Sequence, residues 1–161
     1  MTQNIIDNLI VQLTKLPGVG RKSAQRLAFF ILNLPKDDAK AIADAIVDIK
    51  EKARFCSICF NIGDADPCDI CRSETRDKSR ICVVEEPSNI LAVERTRCFS
   101  GVYHVLLGAL SPVDGITPDR LKITELVRRV EAGGIEEVIL ATNPNTKGEM
   151  TARYITELLK P

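Results

Sequence analysis

Four cysteines in the stretch FCSICFNIGDADPCDIC, Cys56 and Cys59 followed by Cys68 and Cys71, are the residues of this 161-residue chain best suited to chemistry. Two residues inside each pair let both sulfurs face one ion from a tight turn, and the eight between the pairs let a small knuckle fold back. That supplies the four thiolates of a closed tetrahedral site for one structural Zn2+, with no open position for a substrate. Two disulfides or a redox-active pair are the competing readings of the same spacing.

The stretch LPGVGRKSAQRLAFFIL at residues 16–32 offers a second kind of chemistry. A Pro-Gly-Val-Gly turn separates two helical patterns, and Gly18 and Gly20 can take backbone angles that point successive amides outward. Those amides meet the start of the next helix, whose N-terminus attracts phosphate, while Arg21, Lys22 and Arg26 add charge on the same side. No side chain here is suited to reading a base edge, so the expected ligand is a nucleic-acid backbone of any sequence. A plain helical hairpin with a solvated basic face is the bland alternative. Sequence-independent contacts give dissociation constants of roughly 10⁻⁴ to 10⁻⁶ M, so several hairpins presented together, and hence an oligomer, are expected.

A third group lies at two strand ends. Glu85 closes one apolar strand, and Asn143-Pro144-Asn145-Thr146-Lys147-Gly148-Glu149 follows another. Strand ends facing one crevice are where α/β sheets place ligands. Glu85, Glu86 and Glu149 are expected to form an acidic patch for a protein partner. His104, the only histidine, has no second histidine or nucleophile beside it and reads as structural. Cys82 and Cys98 read as ordinary buried thiols. Asp64 and Asp66 suit local hydrogen bonds in the knuckle turn, and Pro112, Asp114 and Gly115 suit turn shaping. No catalytic residue is assigned.

The elements that must position these groups fall into two styles. Ile5, Ile6, Leu9, Ile10 and Leu13 follow helical spacing behind Asn4, and Pro17 stops that helix. A second helix over Lys22–Leu32 carries Leu27, Phe30 and Ile31, and a third from Asp38 to Phe55 carries Ile42, Ala43, Ile46 and Ile49. So small a helical region is marginal alone and is expected to pack on something else, such as another copy of itself. Beyond the cysteines, RICVVEE, GVYHVLLG and EEVILATN read as strands, and PSNILAVERT, LKITELVRRVEAG and GEMTARYITELLK as helices. That alternation implies a parallel sheet covered by helices. Three strands are few for such a sheet, so a missing C-terminal piece or a partner subunit is expected to complete it.

Composition narrows the setting. Charge balances at 22 basic and 22 acidic residues, yet residues 1–36 hold five basic residues against Asp7 alone, leaving the remainder four charges negative. A basic end and an acidic remainder suit nucleic acid and a basic protein partner respectively. No apolar run approaches the roughly 20 residues of a membrane span, and the start lacks the layout of a signal peptide. A reducing cytoplasm is expected, which suits thiolates kept for metal.

In combination, LPGVGRKSAQRLA, CSICFNIGDADPCDIC, ICVVEEPSNILAVE, YHVLLGALSPVDGI and VILATNPNTKGE closely resemble the RecR family of bacterial recombination mediators, across residues 5–161. The hairpin is similar to the helix-hairpin-helix motif. The last region is similar to the Toprim class of topoisomerases and primases, in which a Glu and an Asp-x-Asp hold magnesium. Asn143 and Asn145 stand at both Asp positions here, and magnesium favours charged oxygen ligands, so the resemblance implies a Toprim shell without catalysis. The implied fold is α/β (α+β overall), with a helix-hairpin-helix region at 1–54, a zinc finger at 55–78 and a Toprim-like domain with a mostly parallel sheet at 79–161. The implied role is a non-enzymatic, clamp-like homo-oligomer, dimer or tetramer, that acts with RecO and RecF to load recombinase at single-strand gaps. It would be cytoplasmic and nucleoid-associated, with the zinc joining the two halves at a fixed angle. The rival readings are a magnesium-dependent nuclease or topoisomerase, and a scaffold whose hairpin serves only dimerisation. Chains of this family continue for several dozen residues beyond the last helix seen here.

Overall fold

A computed structural model describes residues 5–160; Asn4, expected ahead of the first helix, and Pro161 lie outside the described residues. The chain divides into two compact units, one through Glu51 and the other from Lys52 onward.

The first unit is helical. Helix α1 (Ile5–Leu13) packs against α2 (Arg21–Leu32), and α3 (Lys36–Lys52) follows Pro35. Ala24 and Ala28, one turn apart, are the buried residues of α2; their small side chains let α1 approach closely. Asp37 and Asp38 sit in the first turn of α3, where acidic side chains offset the helix dipole. The expected apolar stripes are only partly covered. Phe30 is 60% exposed, and Ile42, Ile46 and Ile49 on one face of α3 are all exposed. Helix α3 stops at Lys52 and does not reach Phe55. Arg54 and Phe55 instead form strand β1, paired antiparallel with β2 (Ile62–Gly63) through the register Phe55↔Ile62.

The second unit continues with α4 (Asp69–Arg72), β3 (Asp77–Val84), α5 (Pro87–Thr96), β4 (Gly101–Val105), α6 (Ile123–Glu131), β5 (Glu137–Leu140) and α7 (Thr146–Leu159). Strands β4, β3 and β5 lie in that order in one parallel sheet. Alternate residues of β3 feed two cores, as the pleat requires. Ile81 and Val83 pack with Ile123, Leu126 and Ile155 of α6 and α7. Cys82 and Val84 pack with Ile90 of α5, Tyr103, and Phe60 and Ile70 of the cysteine-rich segment. Each such buried side chain contributes about 1.5–3 kcal/mol. Arg76 pairs with Glu94, and the Glu94 carboxylate also accepts from the Tyr103 hydroxyl at 2.6 Å, tying α5 to β4 and to the residue that precedes β3.

Two thiols differ in fate. Cys82 is buried, as expected, and burial pushes its thiol up to about 11. Cys98 is exposed, because the chain turns outward after α5 through Arg97 in the left-handed region and carries the thiol with it.

His104 is fully buried, with Nε2 2.7 Å from the carbonyl oxygen of Lys122 and its ring edge-on to Phe60. Burial, with Arg129 and Lys122 nearby, brings the imidazole down from 6.5 to about 4, while the Lys122 carbonyl and Glu125 act the other way. The unfolded chain therefore binds a proton below pH 6.5 that the folded chain refuses, and stability falls as pH drops through that window. Urea melts between pH 7 and 4 should show a shallower acid decline for His104→Leu than for the parent; equal slopes would exclude this assignment.

Candidate functional site

The cysteine knuckle is built by short elements. Cys56 follows β1, Cys59 lies on the turn, Cys68 caps α4, and Cys71 sits within α4. All four are buried, and their sulfurs lie within 4.8 Å of one another. They are free thiols, with Cys59 and Cys68 sulfurs 3.6 Å apart, far beyond a disulfide bond. Zinc at about 2.3 Å from each sulfur would set tetrahedral sulfurs ~3.8 Å apart, so the cage fits that ion. Burial opposes ionisation of Cys56, yet the amides of Cys68, Cys59 and Ile58 together bring its thiol down to about 7. Asp66 steadies the turn by accepting from the Ser57 amide at 2.7 Å, the local role expected of an aspartate there.

The knuckle belongs with the sheet. The Cys59 carbonyl accepts from the amide of Val105 at 2.8 Å, on the outer edge of β4. Phe60, held at φ 61°, packs beside that strand with Lys122 Nζ 4.9 Å from its ring centre. The division between compact units falls ahead of β1, and the knuckle is fixed to the α/β unit.

At the hairpin, Gly18 has φ +78°, a left-handed angle that favours glycine. Gly20 is the N-cap of α2 in an extended conformation open to any residue, and no side chain caps that helix start. A Cβ at either glycine would meet nothing within 4 Å. Arg21, Lys22 and Arg26 are exposed, with Lys22 and Arg26 one turn apart and away from the buried Ala24–Ala28 stripe.

The strand-end crevice brings together fewer of the expected groups. Glu85 is only 6% exposed, with Oε1 accepting from the Asn143 amide at 2.9 Å and Oε2 from Asn143 Nδ2 at 2.5 Å. It is therefore withdrawn from the surface patch expected of it, because Asn143 turns the carboxylate inward. Glu86 and Glu149 are exposed: Glu86 caps α5 reciprocally with Asn89, and Glu149 lies in the first turn of α7. Asn145 does not face Glu85; it caps α7 by accepting from the Gly148 amide at 2.9 Å.

Three contributors escape a reading of the sequence. Gly148 is buried where a Cβ would lie 2.0 Å from the Asn143 oxygen, and Thr151 accepts from the Leu110 amide at 2.8 Å. Lys147 pairs with Asp114 at 2.6 Å, adding an ion pair to the turn-shaping role expected around Pro112, Asp114 and Gly115. A glycine in the first turn of a helix was the available signal for the first of these.

Comparison with known proteins follows the same parts. Residues 6–50 match the RecR helix-hairpin-helix family, residues 53–73 the RecR four-cysteine zinc finger domain, and residues 79–161 the Toprim domain. The recombination protein RecR of Koribacter versatilis is 61% identical over 152 residues, covering 94% of this chain and 76% of its own length. That of Geobacter sulfurreducens is 54% identical, covering 97% and 78%, and that of a Nocardioides species is 52% identical, covering 100% and 81%. No helix among the described residues is long and apolar enough to cross a membrane. With three family segments in the order the sequence carries them, and relatives more than half identical along nearly all of it, the chain belongs to the RecR family of recombination proteins.

Proposed function

We propose that this chain is a non-enzymatic mediator of recombinational DNA repair in the bacterial cytoplasm, acting at the nucleoid. Its hairpin holds the phosphates of single- or double-stranded DNA through Arg21, Lys22, Arg26 and the amides around Gly18 and Gly20. The observation that carries this reading is Gly20. Its backbone angle suits any residue and no neighbour crowds its Cβ position, so the fold asks of it only the N-cap preference, and the open space beside it suits close approach of an outside backbone. The uncovered Ile42, Ile46 and Ile49 face supports self-association into the clamp-like dimer or tetramer that would present several hairpins at once. In this reading the segments 1–54, 55–78 and 79–161 serve as DNA grip, zinc support and partner platform. Glu86 and Glu149 offer surface charge to RecO, which with RecF directs recombinase loading at gaps, and no catalytic step is assigned.

Fluorescence anisotropy with labelled DNA across a salt series tests the grip. Lys22→Ala/Arg26→Ala should weaken binding at least about tenfold and lower the salt slope by about two. Gly20→Ala should weaken binding while lowering stability by no more than about 1 kcal/mol, the cost of alanine at an N-cap. Unaltered affinity and salt slope in the double variant would exclude the hairpin as the DNA contact.

A further inference from the structure

Toprim sites of the magnesium-binding kind ask for clustered carboxylates, and the donor set here does not fit that ion. Both oxygens of Glu85 already accept hydrogen bonds from a single residue, the backbone amide and the side-chain amide of Asn143. Magnesium binds through charged carboxylate oxygens in a strict octahedral geometry, and here it would find a single carboxylate whose two oxygens are both held in place by amide donors. No Lys or Arg among the described residues bonds Glu85; the nearby Lys147 is engaged by Asp114. The negative charge is nonetheless well placed. Glu85 immediately precedes the capped start of α5, and a Cβ on Gly148, in the first turn of α7, would lie 2.8 Å from Oε1. Two helix starts, each with partial positive charge, therefore flank the carboxylate.

We infer that Asn143 is a built-in substitute for a divalent cation: its two N–H donors satisfy and orient Glu85, latch the loop after β5 onto the end of β3, and stand where magnesium would need a second carboxylate. Asn143 is thus a positioning residue. It fixes the loop that starts α7, and with it Lys147 and Glu149. The chemistry of the latch is polar and complementary, one donor side chain against one acceptor. Replacing the amide with a carboxylate would set two anions at hydrogen-bond distance, an arrangement that requires a cation or a proton.

Thermal melts of the zinc-loaded chain with and without millimolar Mg2+ test the inference. The parent melt should not move with Mg2+. Asn143→Asp should melt about 5–10 °C lower without Mg2+ and recover most of that loss with it. Asn143→Ala should be lowered similarly and gain nothing from Mg2+. The exchange Glu85→Gln/Asn143→Asp, which reverses donor and acceptor, should melt close to the parent in the absence of Mg2+, and it reports on the latch even where Asn143→Asp alone fails to fold. A parent melt raised by Mg2+ and made insensitive to it by Glu85→Gln would overturn the inference. So would an Asn143→Asp protein as stable as the parent without Mg2+, or an exchange variant no better than the single one.

Discussion

Stripping the zinc, or substituting Cys59→Ser, is expected to unfold residues 54–72 and to release the amide of Val105 to hydrogen exchange. Zinc binding contributes about 10–16 kcal/mol in isolated fingers, comparable to the entire stability of a small domain. The knuckle has little else to hold it. Its hairpin has two residues per strand, α4 has four, and four of its largest buried groups are the cysteines themselves. The effect should pass into the sheet, because the carbonyl of Cys59 caps the Val105 amide on the edge of β4 and Phe60 covers that strand beside His104. An uncapped edge amide exchanges and offers itself to another chain. Hydrogen exchange with mass spectrometry should therefore show peptides spanning 54–72 and 101–106 losing protection together, with more aggregation on warming. Loss confined to 54–72, with Val105 still protected, would show that the knuckle does not support the edge.

Gly148→Ala is expected to cost about 3–5 kcal/mol, as much as any single substitution in the α/β unit. An added methyl would stand 2.0 Å from the carbonyl oxygen of Asn143 and 2.8 Å from Glu85 Oε1. One neighbour is backbone, so the loop after β5 must move by more than an ångström. That movement breaks both bonds between Asn143 and Glu85, the 3.0 Å bond from Thr142 Oγ1 to the Gly148 carbonyl, and the Asn145 cap. Urea unfolding monitored by circular dichroism measures the loss. Gly20→Ala is the internal comparison, since a methyl there meets open space; if both substitutions were silent, the packing around α7 would be wrong.

The pieces of this molecule that depend on neighbours in the chain were legible from residue order. The spacing of Cys56, Cys59, Cys68 and Cys71 determined the cage, because a thiolate site made by two tight turns is a local object. Pro87 and the apolar pattern behind it placed α5 to the residue, and the run from Ile81 to Val84 announced a strand buried on both faces. Helix α3 was read too long because its periodicity carries on toward Phe55, and only the pairing of Phe55 with Ile62 ends it. The exposure of Phe30 and Ile46 was equally hidden, since periodicity reports which face is apolar and not whether anything covers it.

Glu85 and Asn143 mark the boundary most clearly. Residue order determined that an acid ends one strand and asparagines follow another, and the resemblance to the Toprim class added the expectation of a magnesium site without its charge. Only the tertiary structure decided what became of the acid. The parallel register that sets Val83 beside Leu140 carries the two loops to the same end of the sheet, and the missing side chain of Gly148 lets α7 close on them. A contact between residues 58 apart depends on that register and on backbone approach, and neither leaves a trace in local sequence pattern.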